Sequence, residues 1–532
     1  MRLALSFQDE TVAIKGDRLV TRRDVLRTAL VGPLAGTALA LPPQSSLLKV
    51  GFAEEDITPE VGMEQPGGYG KSYHTTIHDP CKVRVAVFDD SSNTAALVGL
   101  DALLVPRHIV EGARTAIEGH CGIPGHAVMI GASHSHSSGP IGMISKGDYD
   151  HASEFVQRLA YEHSTLDNAD YSRTVEQKIV AGVCRAFDQR APMACSIGAG
   201  REDKVAFNRR FRMRNGLSYS HPGQGNPDIL GPAGPTDPIV TVLGAWDRDR
   251  KLRGCVVNYS CHATTNPGGI SANWIYYLEK TIRGVMGPDV NVVFLQGFCG
   301  DVTQVDNLDP YKRKSGEQEA IFVGGRVGAE ATKVLLSSHA GPLGPVAVRA
   351  ETIRISRRKP DPGRVHESLE LVKKDPETVG TTKWTFAKEI VLLDALIQKT
   401  PDLDVEIQAV QIGPAVFLST PGEMFVDFGL RLRERSGFPF TVPVELANGT
   451  AGYIPTEEAL GPHGGGYETR LTSYSNLVPS AGRQMVETAV KLAKGLDPGA
   501  APHPLKAPPA SKDGDGIGSK PWSYGNVPPE LK

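Results

Sequence analysis

The stretch Val128-Met129-Ile130-Gly131-Ala132-Ser133-His134-Ser135-His136-Ser137-Ser138-Gly139-Pro140 sets a short apolar run against two histidines one residue apart. Val128 to Ile130 reads as a buried strand, and Gly139-Pro140 cannot continue a sheet ladder. The histidines therefore fall where the chain leaves the sheet, the rim on which α/β proteins place their chemistry. In an extended segment, side chains two positions apart leave from one face, which aims both imidazoles at one spot. On spacing alone the pair serves equally as metal ligands or as ordinary hydrogen-bonding groups.

Three further apolar runs end in the same way. Cys255-Val256-Val257 leads to His262, Val292 to Leu295 leads to Gly300-Asp301, and Val416-Phe417-Leu418 leads to Gly422-Glu423. Near-continuous Val, Leu and Phe runs read as strands covered on both faces, and their polar ends point to a shared rim of one sheet. Val83 to Phe88 and Ala95 to Leu100 read as a hairpin around the turn Asp89 to Asn93. Helical spacing covers Arg107 to His120, much of Asp150 to Arg190 (Phe155, Leu159, Val175, Ile179, Val183), and Arg364 to Lys399. This alternation predicts an α/β fold: layered mixed β-sheets covered by helices, with the metal site at strand ends. Gly67-Gly68-Tyr69-Gly70 reads as a loop able to approach a cleft, and Gly223 to Pro238 as a candidate active-site loop. No internal repeat is evident in the sequence.

With 532 residues, 40% hydrophobic and 22% charged, the chain has enough apolar material for a large core. A formal net charge of −3 gives no basic stripe, so nucleic acid is not an expected partner. Residues 1–40 carry Arg22-Arg23, an apolar stretch from Ala29 to Leu39, and the small-residue pattern Ala38-Leu39-Ala40. That order resembles a twin-arginine export signal, and its apolar core falls short of the roughly 20 residues a spanning helix needs. The expected organisation is this signal (1–40), a catalytic body (41–496) and a Pro-, Gly- and Lys-rich tail (497–532) too poor in large apolar groups to offset its ordering entropy. The expected location is therefore outside the cytoplasm, periplasmic or extracellular. The seven cysteines are odd in number and lack Cys-x-x-Cys spacing, so neither a disulfide framework nor a thiolate zinc knuckle is indicated.

The ordered set of motifs resembles the catalytic domain of the neutral, or neutral/alkaline non-lysosomal, ceramidases, which are zinc-dependent amidases. Those motifs are Gly51-Phe52-Ala53 with Asp56-Ile57-Thr58-Pro59, Ser133 through Pro140, Asn208-Arg209, Asn258 through His262, Gln296-Gly297 with Gly300-Asp301-Val302-Thr303, Pro421-Gly422-Glu423, and Ala451-Gly452-Tyr453-Ile454. Together they span Lys49 to Leu492, without the immunoglobulin-like C-terminal domain of full-length ceramidases. The resemblance implies a zinc ion on His134, His262, Glu423 and Tyr453, with a water that ionises near neutral pH and attacks an amide carbonyl. It implies His136 as donor of a proton or hydrogen bond to the tetrahedral intermediate. Arg209 and Tyr467 are the implied substrate or oxyanion contacts, and Thr303 stands where ceramidases carry serine. Threonine keeps the hydroxyl but stiffens the side chain, which favours a hydrogen-bonding role over a nucleophilic one.

Read singly, these residues have plainer meanings: Arg209 a solvated cation beside Arg210, Tyr453 and Tyr467 core or loop tyrosines, Glu423 a strand-end carboxylate, His262 a core histidine. Asp301 reads as a loop-orienting carboxylate rather than a ligand. The expected partner is a small-molecule or lipid amide, with at most peripheral membrane contact. Two alternatives stand beside the leading reading: a metal-dependent esterase or amidase on a soluble polar substrate, and a zinc-containing binding relative without turnover.

Overall fold

The computed structural model describes residues 47–313 and 315–504. The expected export signal, and the tail beyond residue 504, lie outside the described residues. What is described of the tail docks on the body: the Asp497 carbonyl accepts from Gln411 Nε2 at 2.6 Å, and the Gly499 N–H donates to Gly413 at 3.0 Å.

One topology occurs three times along the chain. In the first unit, β1 (Leu48–Asp56), β2 (Lys82–Asp89) and β3 (Thr94–Leu100) run antiparallel, helix Arg107–Cys121 crosses over, and β4 (Val128–Ala132) returns parallel to β3. Helix Ala169–Asp188 packs on that crossover helix. The second unit begins with β5 (Ala191–Arg201) and is then interrupted by β6 (Phe207–Asn208), β7 (Arg210–Met213), β8 (Ser218–Ser220) and β9 (Ile229–Pro232). It resumes with β10 (Ile239–Trp246), β11 (Leu252–Tyr259), crossover helix Trp274–Met286, the parallel β12 (Asn291–Gln296), the short β13 (Val302–Thr303) and covering helix Glu317–Ser337. The third unit comprises β14 (Val346–Ser356), β15 (Asp402–Ile412), β16 (Ala415–Ser419), the short β17 (Glu423–Met424) and crossover helix Val426–Arg435. It closes with β18 (Phe440–Val444) parallel to β16, the short β19 (Tyr453–Ile454) and covering helix Ala481–Lys494.

The first two units join into an eight-stranded sheet, β12-β11-β10-β5-β1-β2-β3-β4, and the third forms the separate sheet β14-β15-β16-β18. The join is β5, whose first residues pair with β1 and whose later residues pair with β10. The two halves lie close: a Cβ on Gly99 of β3 would stand 2.3 Å from the Phe294 carbonyl oxygen of β12. One apolar core fills the space among all three units, with Val50, Leu97 and Met129 meeting Leu243, Val256 and Leu295, and Val410, Phe417 and Val442. The opposite faces bury against the helices, with Val98 and Ile130 under one pair, Val257 and Val292 under the second, and Val416 and Leu418 under the third. Coverage on both faces is why these strands are near-continuous apolar runs.

The layered α/β architecture agrees with the reading from the sequence, but the strand ends belong to two sheets rather than to one rim. Run length marks a strand as doubly covered and carries no information about which sheet holds it. The hairpin turn is as expected: Asp90 Oδ1 accepts from the N–H groups of Ser92 at 2.9 Å and Asn93 at 2.7 Å, and Ser91 takes φ 73°. The Asp150–Arg190 region holds helices Glu154–Tyr161 and Ala169–Asp188, the latter capped by the Asn168 side chain on the N–H groups of Asp170 and Tyr171. Arg364 to Lys399 falls within helices Pro362–Val372, Pro376–Val379 and Thr381–Lys399. In each unit the insertion lies between the first and second strands, at residues 57–81, 202–238 and 357–401. Among the described residues no helix is long and apolar enough to cross a membrane.

Candidate metal centre

Each unit sends the carboxyl ends of its parallel strand pair to one place, and there His134, His262 and Glu423 meet. After β4 the backbone is pinned on both sides: Ser133 and Ser135 donate to Leu100 and Ala102 at 2.8 and 3.1 Å, and His136 donates to Ala263 at 3.1 Å. His134 is forced to φ 61°, the left-handed region that costs an L-residue roughly 1–2 kcal/mol. The imidazoles of His134 and His136 thus converge through a turn and not through an extended segment, with 3.2 Å between their Nε2 atoms. His262 follows β11 and is fully buried. Glu423 begins β17, which pairs in parallel with β19 so that Glu423 faces Tyr453 across the ladder.

The imidazole tautomers are fixed by what they touch. His134 Nδ1 lies 2.9 Å from the Leu103 carbonyl, and His262 Nδ1 lies 2.7 Å from the Cys299 carbonyl. A carbonyl only accepts, so each Nδ1 carries a proton and, in the neutral ring, each Nε2 is the acceptor. Both point at Glu423 Oε2, at 3.1 and 3.2 Å. That oxygen is buried without a hydrogen-bond partner. Burial, then Arg209, pushes the His262 imidazolium down to about 3, and burial pushes His136 well below its usual range.

With those tautomers no proton lies between Glu423 Oε2 and either Nε2, and buried lone pairs this close repel unless a cation sits among them. Ligands 2.0–2.1 Å from a tetrahedral zinc lie about 3.3 Å apart, close to the separations here. His134, His136 and His262 also stand together as a cluster whose nitrogens lie within 4.8 Å of one another. The donor set of imidazole nitrogen and carboxylate oxygen suits a borderline divalent cation.

Arg209 is buried, and each nitrogen of its guanidinium is engaged. Nε donates to Glu468 Oε1 at 2.7 Å, Nη2 to the Gly300 carbonyl at 2.7 Å and to the Tyr453 hydroxyl at 3.2 Å, and Nη1 lies 3.3 Å from His262 Nε2. The Tyr453 and Tyr467 hydroxyls are 3.1 Å apart, and the guanidinium lies 4.9 Å from the Tyr467 ring centre. Thr303 is buried on β13, its hydroxyl donating to Gln304 Oε1 at 2.8 Å. Asp301 accepts from Asn208 Nδ2 at 2.7 Å and from the Val426 N–H at 2.8 Å, and burial raises it to about 6. The Gly223–Pro238 segment reaches Asn208 through the Pro235 carbonyl at 3.0 Å.

Several supporting groups escape a reading from sequence. Tyr474 donates to Glu423 Oε1 at 2.8 Å. Glu445, at the end of β18, accepts from the N–H groups of Cys299 and Met424 at 3.0 and 2.9 Å, tying the loop that holds His262 to the residue beside Glu423. Burial raises its carboxyl well above the usual range. Only its place at the end of Val442-Pro443-Val444 could have marked it, as the same sign marked Glu423. Gly67 lies against His136 with φ 102°, and a Cβ there would fall 2.3 Å from His136 Nδ1. The glycine-rich loop therefore does approach the cleft. Buried Lys388 holds it in place, donating to the Tyr69 carbonyl at 2.6 Å.

Solved structures share this fold. Neutral ceramidase from Pseudomonas aeruginosa matches with a TM-score of 0.61 at 20% identity, over 86% of this chain and 76% of that one. A ceramidase complexed with C2 matches with a TM-score of 0.62 at 19% identity, over 86% of this chain and 77% of that one. No protein-family model matches the chain, and no curated protein matches its sequence. At this identity the likeness is one of fold.

Proposed function

We propose that this chain is a neutral ceramidase-type enzyme: an exported, zinc-dependent amidase that cleaves the N-acyl bond of ceramide or a related lipid amide. The observation that carries the reading is the convergence of His134 Nε2 and His262 Nε2 on the unpartnered Glu423 Oε2, at 3.1 and 3.2 Å, all three buried. The shared fold and the ordered motifs support the family and the reaction class. The export reading rests on the twin-arginine order near Arg22-Arg23.

His134, His262 and Glu423 would hold the ion, with Tyr453 as a further ligand. Zinc bound there supplies Lewis acidity and a water that ionises near neutral pH. The carbonyls of Leu103 and Cys299 keep the ligand imidazoles in the binding tautomer, and Tyr474 fixes the Glu423 carboxylate through its other oxygen. Among the described residues no carbonyl holds the His136 ring, whose Nε2 lies 3.2 Å from His134 Nε2, and His136 is the group placed to relay a proton to the amide nitrogen as the acyl bond breaks. Arg209 positions Tyr453 and His262 and sets a positive charge beside the developing oxyanion. The Tyr467 hydroxyl beside Tyr453 is the neutral donor at the same place. Thr303 orders the loop next to His262 through Gln304 and Thr264.

Hydrolysis of a short-chain fluorescent ceramide by the purified mature protein, with chelator treatment and zinc add-back, tests the reading. Turnover lost to chelator and restored by zinc is the expected result. Turnover of a water-soluble acyl amide but not of ceramide would replace the lipid with a polar substrate, and chelator-resistant turnover would overturn the metal role.

A further inference from the structure

We propose that Cys121 and Cys184 are a modification site, a thiol pair that closes to a disulfide when the folded chain meets an oxidising compartment. Their sulfurs lie 2.8 Å apart, although both are thiols in this structure. Cys121 is the last residue of helix Arg107–Cys121 and Cys184 sits in the last turn but one of helix Ala169–Asp188, so the pair bridges the crossover and covering helices of the first unit. Both are half-buried and within reach of a small disulfide donor, whereas Cys81, Cys195, Cys255, Cys261 and Cys299 are buried.

Bond formation needs the sulfurs to approach to about 2.05 Å, a movement of less than 1 Å. The helix end can supply it, because Gly122 follows in the left-handed conformation at φ 71° and the Cys121 thiol is held only by local backbone, the Ile117 carbonyl of its own helix at 3.3 Å and the Ile123 N–H just beyond Gly122, among the described residues. The chemistry is thiol–disulfide exchange with an external disulfide. One cysteine thiolate attacks the donor and releases one thiol, then the second attacks the mixed disulfide and releases the other. Two protein thiols are oxidised and one donor disulfide is reduced to two thiols. Burial, and then Cys184 beside it, pushes the Cys121 thiol up to about 12, which goes with a slow-forming, stable bond rather than a labile one. The bridge would close a loop between positions 63 residues apart and hold the two helices together over β1 to β4.

The inference does not rest on the proposed activity. Reduced full-length protein is equilibrated with glutathione disulfide and glutathione over a range of ratios, quenched, alkylated with N-ethylmaleimide, digested and read by mass spectrometry. The expected result is one linked peptide pair carrying Cys121 and Cys184, a loss of two alkylated cysteines, and a Tm raised by roughly 3 °C over the reduced form. In Cys121→Ser the Tm no longer responds to the redox ratio. Both cysteines alkylated, or each carrying a separate glutathione, at the most oxidising ratio would overturn the proposal. The peptide masses of the unmodified chain decide the matter even if Cys121→Ser folds poorly.

Discussion

Replacing Arg209 by Met removes a cation from a place where nothing can substitute for it. Glu468 is fully buried, and the Arg209 Nε–H at 2.7 Å is its one ion-pair partner among the described residues. After the change, Glu468 keeps the Ser220 hydroxyl at 2.5 Å, but its charge is uncompensated. Breaking a buried pair by removing one partner costs about 3–5 kcal/mol, and the stranded Gly300 carbonyl adds about 1 kcal/mol. Replacing Glu468 by Gln as well removes the stranded charge, so the double variant is expected to recover about 2 kcal/mol or more relative to additivity. Urea unfolding of the parent, Arg209→Met, Glu468→Gln and the double variant measures this coupling, with midpoints compared at a shared slope. A loss below about 1 kcal/mol in Arg209→Met, with additive singles, would mean that the pair is not buried and coupled, because that is the behaviour of a solvated surface pair.

Gly67→Ala places a methyl group 2.3 Å from His136 Nδ1 in a backbone at φ 102°, and turnover is expected to fall roughly tenfold or more with bound metal retained; unchanged steady-state kinetics would contradict the loop's role. His136→Ala is expected to keep its metal and lose about 10²-fold or more in turnover, measured by elemental analysis beside kinetics; loss of the metal would make His136 a ligand instead. Asp79 is buried against Ser271 and the Ala272 N–H, and burial raises it from 3.8 to about 7. Between those values the folded state holds the proton and the unfolded state does not, so this group's contribution to stability falls as pH rises from about 4 to 7. Asp79→Asn removes that slope, and its stability relative to the parent is expected to rise by at most about 4 kcal/mol between pH 4 and pH 8 in denaturation experiments; a pH-independent difference would refute the assignment.

Strands covered on both faces are legible as apolar runs, and their polar ends mark His134, His262, Asp301 and Glu423. The threefold recurrence of topology left no trace in the sequence, because a strand and a crossover helix accept many apolar sequences of similar volume. Insertions of unlike content between the first and second strands hide it further. Arg209 and Tyr453 are ordinary residues in isolation, and only their burial against Glu468 and Glu423 separates them from a surface cation and a core tyrosine. Tyr474 and Glu445 act through contacts between segments far apart in the chain, which no local spacing encodes. The His134 turn illustrates a different limit: period-two geometry gave the right convergence for the wrong backbone, since the bonds that force φ 61° come from the loops after β3 and β11.

The proposed reaction requires a zinc ion in the space among His134, His262 and Glu423. Anomalous diffraction at the zinc edge from crystals of the purified protein, with elemental analysis of the same sample, tests it most directly. One zinc per chain is expected, with its peak about 2.0–2.2 Å from His134 Nε2, His262 Nε2 and Glu423 Oε2. A metal-free protein that still hydrolyses the amide, or a zinc peak away from these three atoms, would contradict it.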